Sequence, residues 1–193
     1  MARPKQFDPD DRLDRAVDAF WQHGFDGSAM PALCEAMGLF PGSLYRTYGD
    51  KRQLFLQAIE RYMATVSADA FQALDGGGPD EIRCFFARLI DAMVDGKRRW
   101  GCLVTNSIVE LAPHEPAIAA LTDQHLKRLE AAFAAALAPA GDATDRAALL
   151  VCTVQGLNVL AKTRPPRARL ERIVEAALAG LDAPHPPTRS DAR

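Results

Sequence analysis

Residues 25–55 of this 193-residue chain, FDGSAMPALCEAMGLFPGSLYRTYGDKRQLF, hold its densest set of groups able to act on a polyanion. Leu44 and Tyr48 lie four apart and define the inward face of a short helix. Gly42, Ser43, Tyr45 and Arg46 then point outward or onto the flanks, with Thr47 at the edge. Gly42 and Ser43 are small enough to admit a close backbone, and the Ser43 and Tyr45 hydroxyls can donate to phosphate oxygens. Arg46 can pair with phosphate or reach a guanine edge. Lys51, at the start of the next helix, offers a further phosphate contact. A solvated polar face on a small helix has the same pattern and stands as the alternative.

Other reactive groups are sparser. Cys102 follows Arg98, Arg99 and Gly101 near an expected helix start, a setting that suits a redox or electrophile sensor, although an inert thiol is the plainer reading. Cys34, Cys84 and Cys152 sit within apolar patterns and read as core. No CxxC pair is present, so neither a disulfide framework nor a zinc ribbon is expected, and a reduced cytoplasmic protein is. His114 and His125 with Glu110 straddle a proline-containing loop without a metal-binding motif, so no metal or cofactor is expected. The absence of a GxSxG elbow, a P-loop or a GxGxxG after a strand argues against an enzyme.

The elements that must position these groups are helical throughout. Asp8 can cap a first helix with Pro9 in its first turn and a stripe of Leu13, Ala16, Val17, Phe20 and Trp21 that ends at Gly24. A short helix from about Met30 stops at Gly38, and the next begins at Pro41, giving helix, tight turn, helix. A longer amphipathic helix starts at Asp50 and fades at Asp75-Gly76-Gly77-Gly78-Pro79. Further helical stripes cover 82–93, 103–111, 118–137, 146–161 and 170–181, and the segment 146–161 is apolar nearly all round. The economical fold is all-α with about nine helices.

At this point the sequence resembles the TetR family of bacterial transcriptional regulators. The matching residues are Gly24-Phe25, Leu33 with Cys34-Glu35-Ala36-Met37-Gly38, Gly42-Ser43-Leu44-Tyr45, Tyr48-Gly49-Asp50-Lys51 and Leu54-Phe55. They cover the first quarter of the chain closely; the later helices match in number, length and order. Phe40, where a polar cap is common, and Ala29, where Ser or Thr is usual, depart from the pattern. The resemblance implies a three-helix helix-turn-helix DNA-binding domain over residues 1–50 and a ligand-binding and dimerisation domain over 51–182; the segment 183–193, rich in Pro and polar residues, is expected to be a disordered tail. It places Gly42, Ser43, Tyr45, Arg46 and Thr47 on a recognition helix, makes Lys51 a phosphate contact, and offers Arg3 and Lys5 as arm contacts. It implies a homodimeric repressor that binds a pseudo-palindromic operator in double-stranded DNA and is released by a small-molecule effector. A thiol sensor acting through Cys102, and a helical small-molecule-binding module without DNA binding, are the alternatives.

Composition neither helps nor forbids this. The chain is 48% hydrophobic and 25% charged, with Lys+Arg 23 against Asp+Glu 25 and a formal charge of −2, so DNA binding has to come from a local face. Even residues 1–52 carry seven basic against eight acidic side chains, but five of the acids (Asp8, Asp10, Asp11, Asp14, Asp18) lie in or beside the first helix. No apolar run approaches the ~18–20 residues of a membrane span, and the N-terminus lacks a signal pattern. In the expected C-terminal domain Phe85, Phe86, Met93, Trp100, Cys102, Asn106, Glu110, Gln155 and Asn158 mix aromatic walls with a few polar groups, as an effector pocket does. Leu150, Val154, Leu157, Ile173, Val174 and Leu178 on the last two helices are the candidates for a dimer interface.

Overall fold

The computed structural model describes residues 9–75, 77–95, 97–138 and 143–179, and these contain helices and no strand. Arg3, Lys5, Asp8 and the tail 183–193 lie outside the described residues. The helices are α1 (Pro9–His23), α2 (Met30–Met37), α3 (Pro41–Tyr48), α4 (Lys51–Tyr62), α5 (Ala68–Gln72), α6 (Pro79–Asp95), α7 (Leu103–Glu110), α8 (Pro116–Leu137), α9 (Thr144–Ala161) and α10 (Arg167–Leu178). The expected long fourth helix is divided: a π turn, Met63–Ser67, joins α4 to α5, so ten α-helices stand among the described residues.

Two compact units form, each with its own core. The first comprises 1–68 and 100–125, the second 69–99 and 126–193. A division after residue 50 follows the order of the chain, whereas compactness follows the side chains that pack together. In the first unit Phe20 meets Phe55 edge-on at 4.8 Å between ring centroids, and Trp21 meets Tyr62 at 5.0 Å. The Trp21 indole N–H donates to the Gly101 carbonyl at 3.0 Å, tying α1 to the approach to α7. A buried indole needs such a partner, and here the chain supplies it from 80 residues away.

The second unit is built on Phe85, Phe86 and Phe133 from α6 and α8, with Leu150, Val154 and Leu157 of α9 and Leu170, Val174 and Leu178 of α10. The Phe86 and Phe133 rings stack at 5.9 Å, and Phe85 meets Phe133 edge-on at 5.2 Å. The apolar circumference of α9 resolves into two faces. Leu150, Val154, Leu157 and Ala161 are buried, while Leu149 and Val159 are 55% and 51% exposed alongside exposed Cys152 and Gly156. Two of the cysteines that read as core are therefore on the surface: Cys84 and Cys152 are exposed, because each sits on the outward side of its helix, and only Cys34 and Cys102 are buried. No described helix is long and apolar enough to cross a membrane.

Candidate nucleic-acid interface

The helix-turn-helix is fixed by its turn and by its inner face. Gly38 ends α2 with φ 62°, a left-handed conformation that disfavours any side chain bearing a Cβ, and the Leu39 N–H reaches back to the Cys34 carbonyl at 2.9 Å. Leu44 and Tyr48 of α3 are buried against Leu33, Met37, Leu54 and Phe55. Burial pushes the Tyr48 hydroxyl above its ordinary pKa, and its main-chain carbonyl accepts from the Gln57 amide at 3.2 Å. Asp50 caps α4, its carboxylate accepting the Gln53 N–H at 2.8 Å.

With that face committed, the other side of α3 is open. Gly42, Tyr45, Arg46 and Thr47 are exposed and Ser43 is half-buried, as the spacing predicts. Phe40, at the N-cap, has no side-chain cap bond. Lys51 lies close by in sequence, its Nζ 4.4 Å from the centroid of the Phe25 ring in a cation–π contact. This juxtaposes five recognition-type residues and a lysine on the outer side of one short helix and the start of the next.

Part of the acidity of the first helix is met by a residue beyond the first 52. The Arg61 guanidinium of α4 donates to both Asp14 carboxylate oxygens at 2.8 and 3.0 Å and to Asp10 at 3.0 Å. Those bonds, Asp14 first, hold Arg61 even more firmly protonated than usual. Asp10 and Asp14 of the first helix are thus paired inside the unit.

The nine candidate residues for an effector pocket are divided between the two units. Trp100, Cys102, Asn106 and Glu110 belong to the first unit, and Phe85, Phe86, Met93, Gln155 and Asn158 to the second. Glu110 is engaged within its own unit, where its two carboxylate oxygens accept the N–H groups of Phe25 and Asp26 at 3.0 and 2.9 Å. The approach is so close that a Cβ on Gly24, itself at φ 75°, would stand 2.9 Å from Glu110 Oε2. The Asn106 amide donates to the Trp100 carbonyl at 3.0 Å, and the Tyr62 hydroxyl lies 3.5 Å from the buried Cys102 sulfur. In the second unit Phe85, Phe86, Met93 and Asn158 are buried and Gln155 is half-buried. A separate cleft of about 540 Å³ lies between α6 and α10, with Ala87, Ile90, Val174 and Leu178 as its apolar part and Arg83 and Glu171 among its polar groups. Sequence periodicity contains no sign of it, because it depends on how two helices 70 residues and more apart diverge.

Leu150 and Leu157 of the candidate dimer set are almost wholly enclosed in their own unit, and Val154, Val174 and Leu178 nearly so, with only Ile173 half-buried. The apolar surface that α9 leaves open is Leu149, Cys152, Gly156 and Val159, which interleave with the candidate positions.

A helical unit that carries a helix-turn-helix with an open, hydrogen-bonding third helix, in one chain with a second helical unit, defines a helix-turn-helix DNA-binding regulator. Residues 13–58 match the family model for bacterial regulatory proteins of the tetR family, and residues 79–176 the model for the C-terminal domain of LmrA/YxaF-like transcriptional regulators. The HTH-type transcriptional regulator YezE of Bacillus subtilis, itself uncharacterized, is 34% identical over 94% of this chain and 100% of its own length. The HTH-type transcriptional repressor ComR of Escherichia coli is 27% identical over 91% of this chain and 88% of its own. Among solved structures, the TetR family regulator CifR, as a cysteine mutant complexed with 26-base-pair operator DNA, superimposes with a TM-score of 0.82 at 29% identity, over 91% of this chain and 98% of that one. The chain belongs to the TetR family: it is a DNA-binding transcriptional regulator and not an enzyme. The family is one of dimeric regulators that answer to small-molecule effectors.

Proposed function

We propose that the protein is a cytoplasmic repressor in which α3 enters the major groove, one copy per half-site of a two-fold operator. In this reading Arg46 and Tyr45 read base edges or phosphate, Ser43 and Thr47 bond the backbone or bases, Gly42 permits close approach, and Lys51 neutralises a phosphate. The observation that carries the reading is the open outer face of α3 on a helix whose opposite side is locked into the core. The relatives named as repressors, and the operator complex of CifR, support its sign and its target.

The second unit then houses the effector, around Phe85, Phe86, Met93, Gln155 and Asn158, where an apolar ligand would part the rings that now pack on Phe133. Ligand that prefers a conformer with misplaced recognition helices weakens operator binding, and operator weakens ligand binding by the same factor. Dimerisation is through α9 and α10, with the exposed α9 residues Leu149, Cys152, Gly156 and Val159 acting alongside Ile173 of α10. The test is selection of bound duplex from a random pool by the purified protein at low salt. A two-fold symmetric winner is expected; a pool that stays random, or an asymmetric winner, contradicts the reading.

Cys102 supports a second input. It is the N-cap residue of α7 and its sulfur has the Tyr62 hydroxyl as neighbour, so oxidation or alkylation there would disturb the packing of α4 against α7. Normal release of DNA by oxidants from the Cys102→Ser variant would remove this reading and leave the first intact.

A further inference from the structure

Phe40 is the residue at the DNA-facing helix that the functions above leave unused. It is 84% exposed, the most exposed of the large apolar side chains among the described residues. It occupies the N-cap position of α3, where Ser, Thr, Asp or Asn ordinarily accepts a main-chain N–H, and its ring makes no such bond. The fold therefore draws neither burial nor capping from this side chain. Its backbone is nevertheless firmly set: φ −73° and ψ 146°, followed by Pro41, with the Phe40 carbonyl accepting from Ser43 and Leu44 at 2.9 and 3.0 Å. The space beside it is open, since a Cβ on Gly42 would touch nothing within 4 Å. An aromatic ring is thus held out at a defined place at the N-terminal end of the recognition helix, with a glycine that lets a large surface approach.

Helices of this kind meet base edges with their N-terminal residues. In the major groove the apolar group available to a phenyl ring is the 5-methyl of thymine, which projects from the base edge and marks one of the four base-pair orientations. We propose that Phe40 is a specificity-determining residue of this regulator, its ring packing on a thymine methyl in each operator half-site. The inference rests on the reading of α3 as the recognition helix. Phe40 would add discrimination by apolar contact beside the hydrogen-bonding residues Tyr45 and Arg46, and would favour thymine over cytosine at one position without using a hydrogen bond.

Replacing thymine by deoxyuridine removes that methyl and leaves the hydrogen-bond pattern of the base pair unchanged, so it isolates the contact. The duplex selected by the full-length protein is resynthesised with deoxyuridine at one symmetric pair of thymine positions at a time, and affinities are measured for the wild type, Phe40→Ala and Arg46→Ala. One position is expected where the wild type loses about 4-fold in affinity per half-site, the worth of one buried methyl. There the Phe40→Ala protein is indifferent to the methyl yet still discriminates at the other positions. Because the side chain is exposed, the thermal melt of Phe40→Ala should match that of the wild type. The proposal is overturned if the wild type senses no thymine methyl, or if Phe40→Ala keeps the wild-type ratio at every position. If Arg46→Ala binds the selected duplex with the affinity and base preferences of the wild type, the recognition-helix reading itself has failed and the Phe40 inference with it.

Discussion

At the scale of single residues, Glu110 is a ligand candidate in the sequence because it is one of the few polar groups among aromatic and apolar ones. The partner exists and is internal: the two N–H groups that follow Gly24. Charge-assisted hydrogen bonds of this type contribute about 1.5–3 kcal/mol when a carboxylate accepts them. Glu110→Ala should therefore lower the unfolding free energy, read from urea denaturation, by that order, and Glu110→Gln, which keeps one acceptor oxygen, by less; equal urea midpoints for all three proteins would refute the latch. The outward residues of α3 are legible from sequence because a period of four between two inward residues dictates what is left over. The partners of Trp21 and Glu110 are not, since each lies 80 residues or more from the group it meets. Local spacing carries no information on contacts of that range.

At the scale of elements, the helix boundaries follow their punctuation closely: Gly38 stops α2, Pro41 opens α3 and Asp50 caps α4. The π turn in Met63–Ser67 has no such mark, because the stretch holds neither Pro nor Gly and its apolar stripe continues through it. The pairing of α1 with α4 is carried partly by Arg61 between Asp10 and Asp14. The carboxylates are half or more exposed, so solvent screens the bridge and it is worth no more than about 1 kcal/mol to stability. Arg61→Gln should thus shift unfolding only slightly. It should weaken duplex binding more at low salt than at high salt, since it leaves two carboxylates uncompensated in the DNA-binding unit and salt screens exposed charges. Identical salt dependence for the two proteins would show that these acids are too far from the phosphates to matter.

For the whole molecule, the number of helices, their order and the helix-turn-helix are readable from periodicity and from a resemblance confined to the first quarter of the chain. Which residues of α9 are spent on its own core is not, because an all-apolar helix has no phase to read. That distinction alters the dimer test. Leu157 is fully enclosed, so Leu157→Asp should unfold the second unit through an unpaired buried charge. Leu149→Asp and Val159→Asp alter side chains that the single chain leaves exposed, so the protein should stay folded and become monomeric by light scattering. Monomeric variants would also lose operator binding, since a two-fold site needs two recognition helices. Folded variants that remain dimeric would place the interface elsewhere.

The most direct test of DNA binding through α3 is the affinity of the wild type and of Arg46→Ala for the selected duplex, measured across a range of salt. Arg46 is exposed, so the variant should fold as the wild type does. The expected result is a loss of about 1–3 kcal/mol per half-site, with relaxed discrimination at one base pair if Arg46 reads a guanine edge, or a uniform loss with a shallower salt slope if it holds a phosphate. An Arg46→Ala protein that binds with wild-type affinity and the wild-type salt slope would contradict the claim that the outer face of α3 meets DNA.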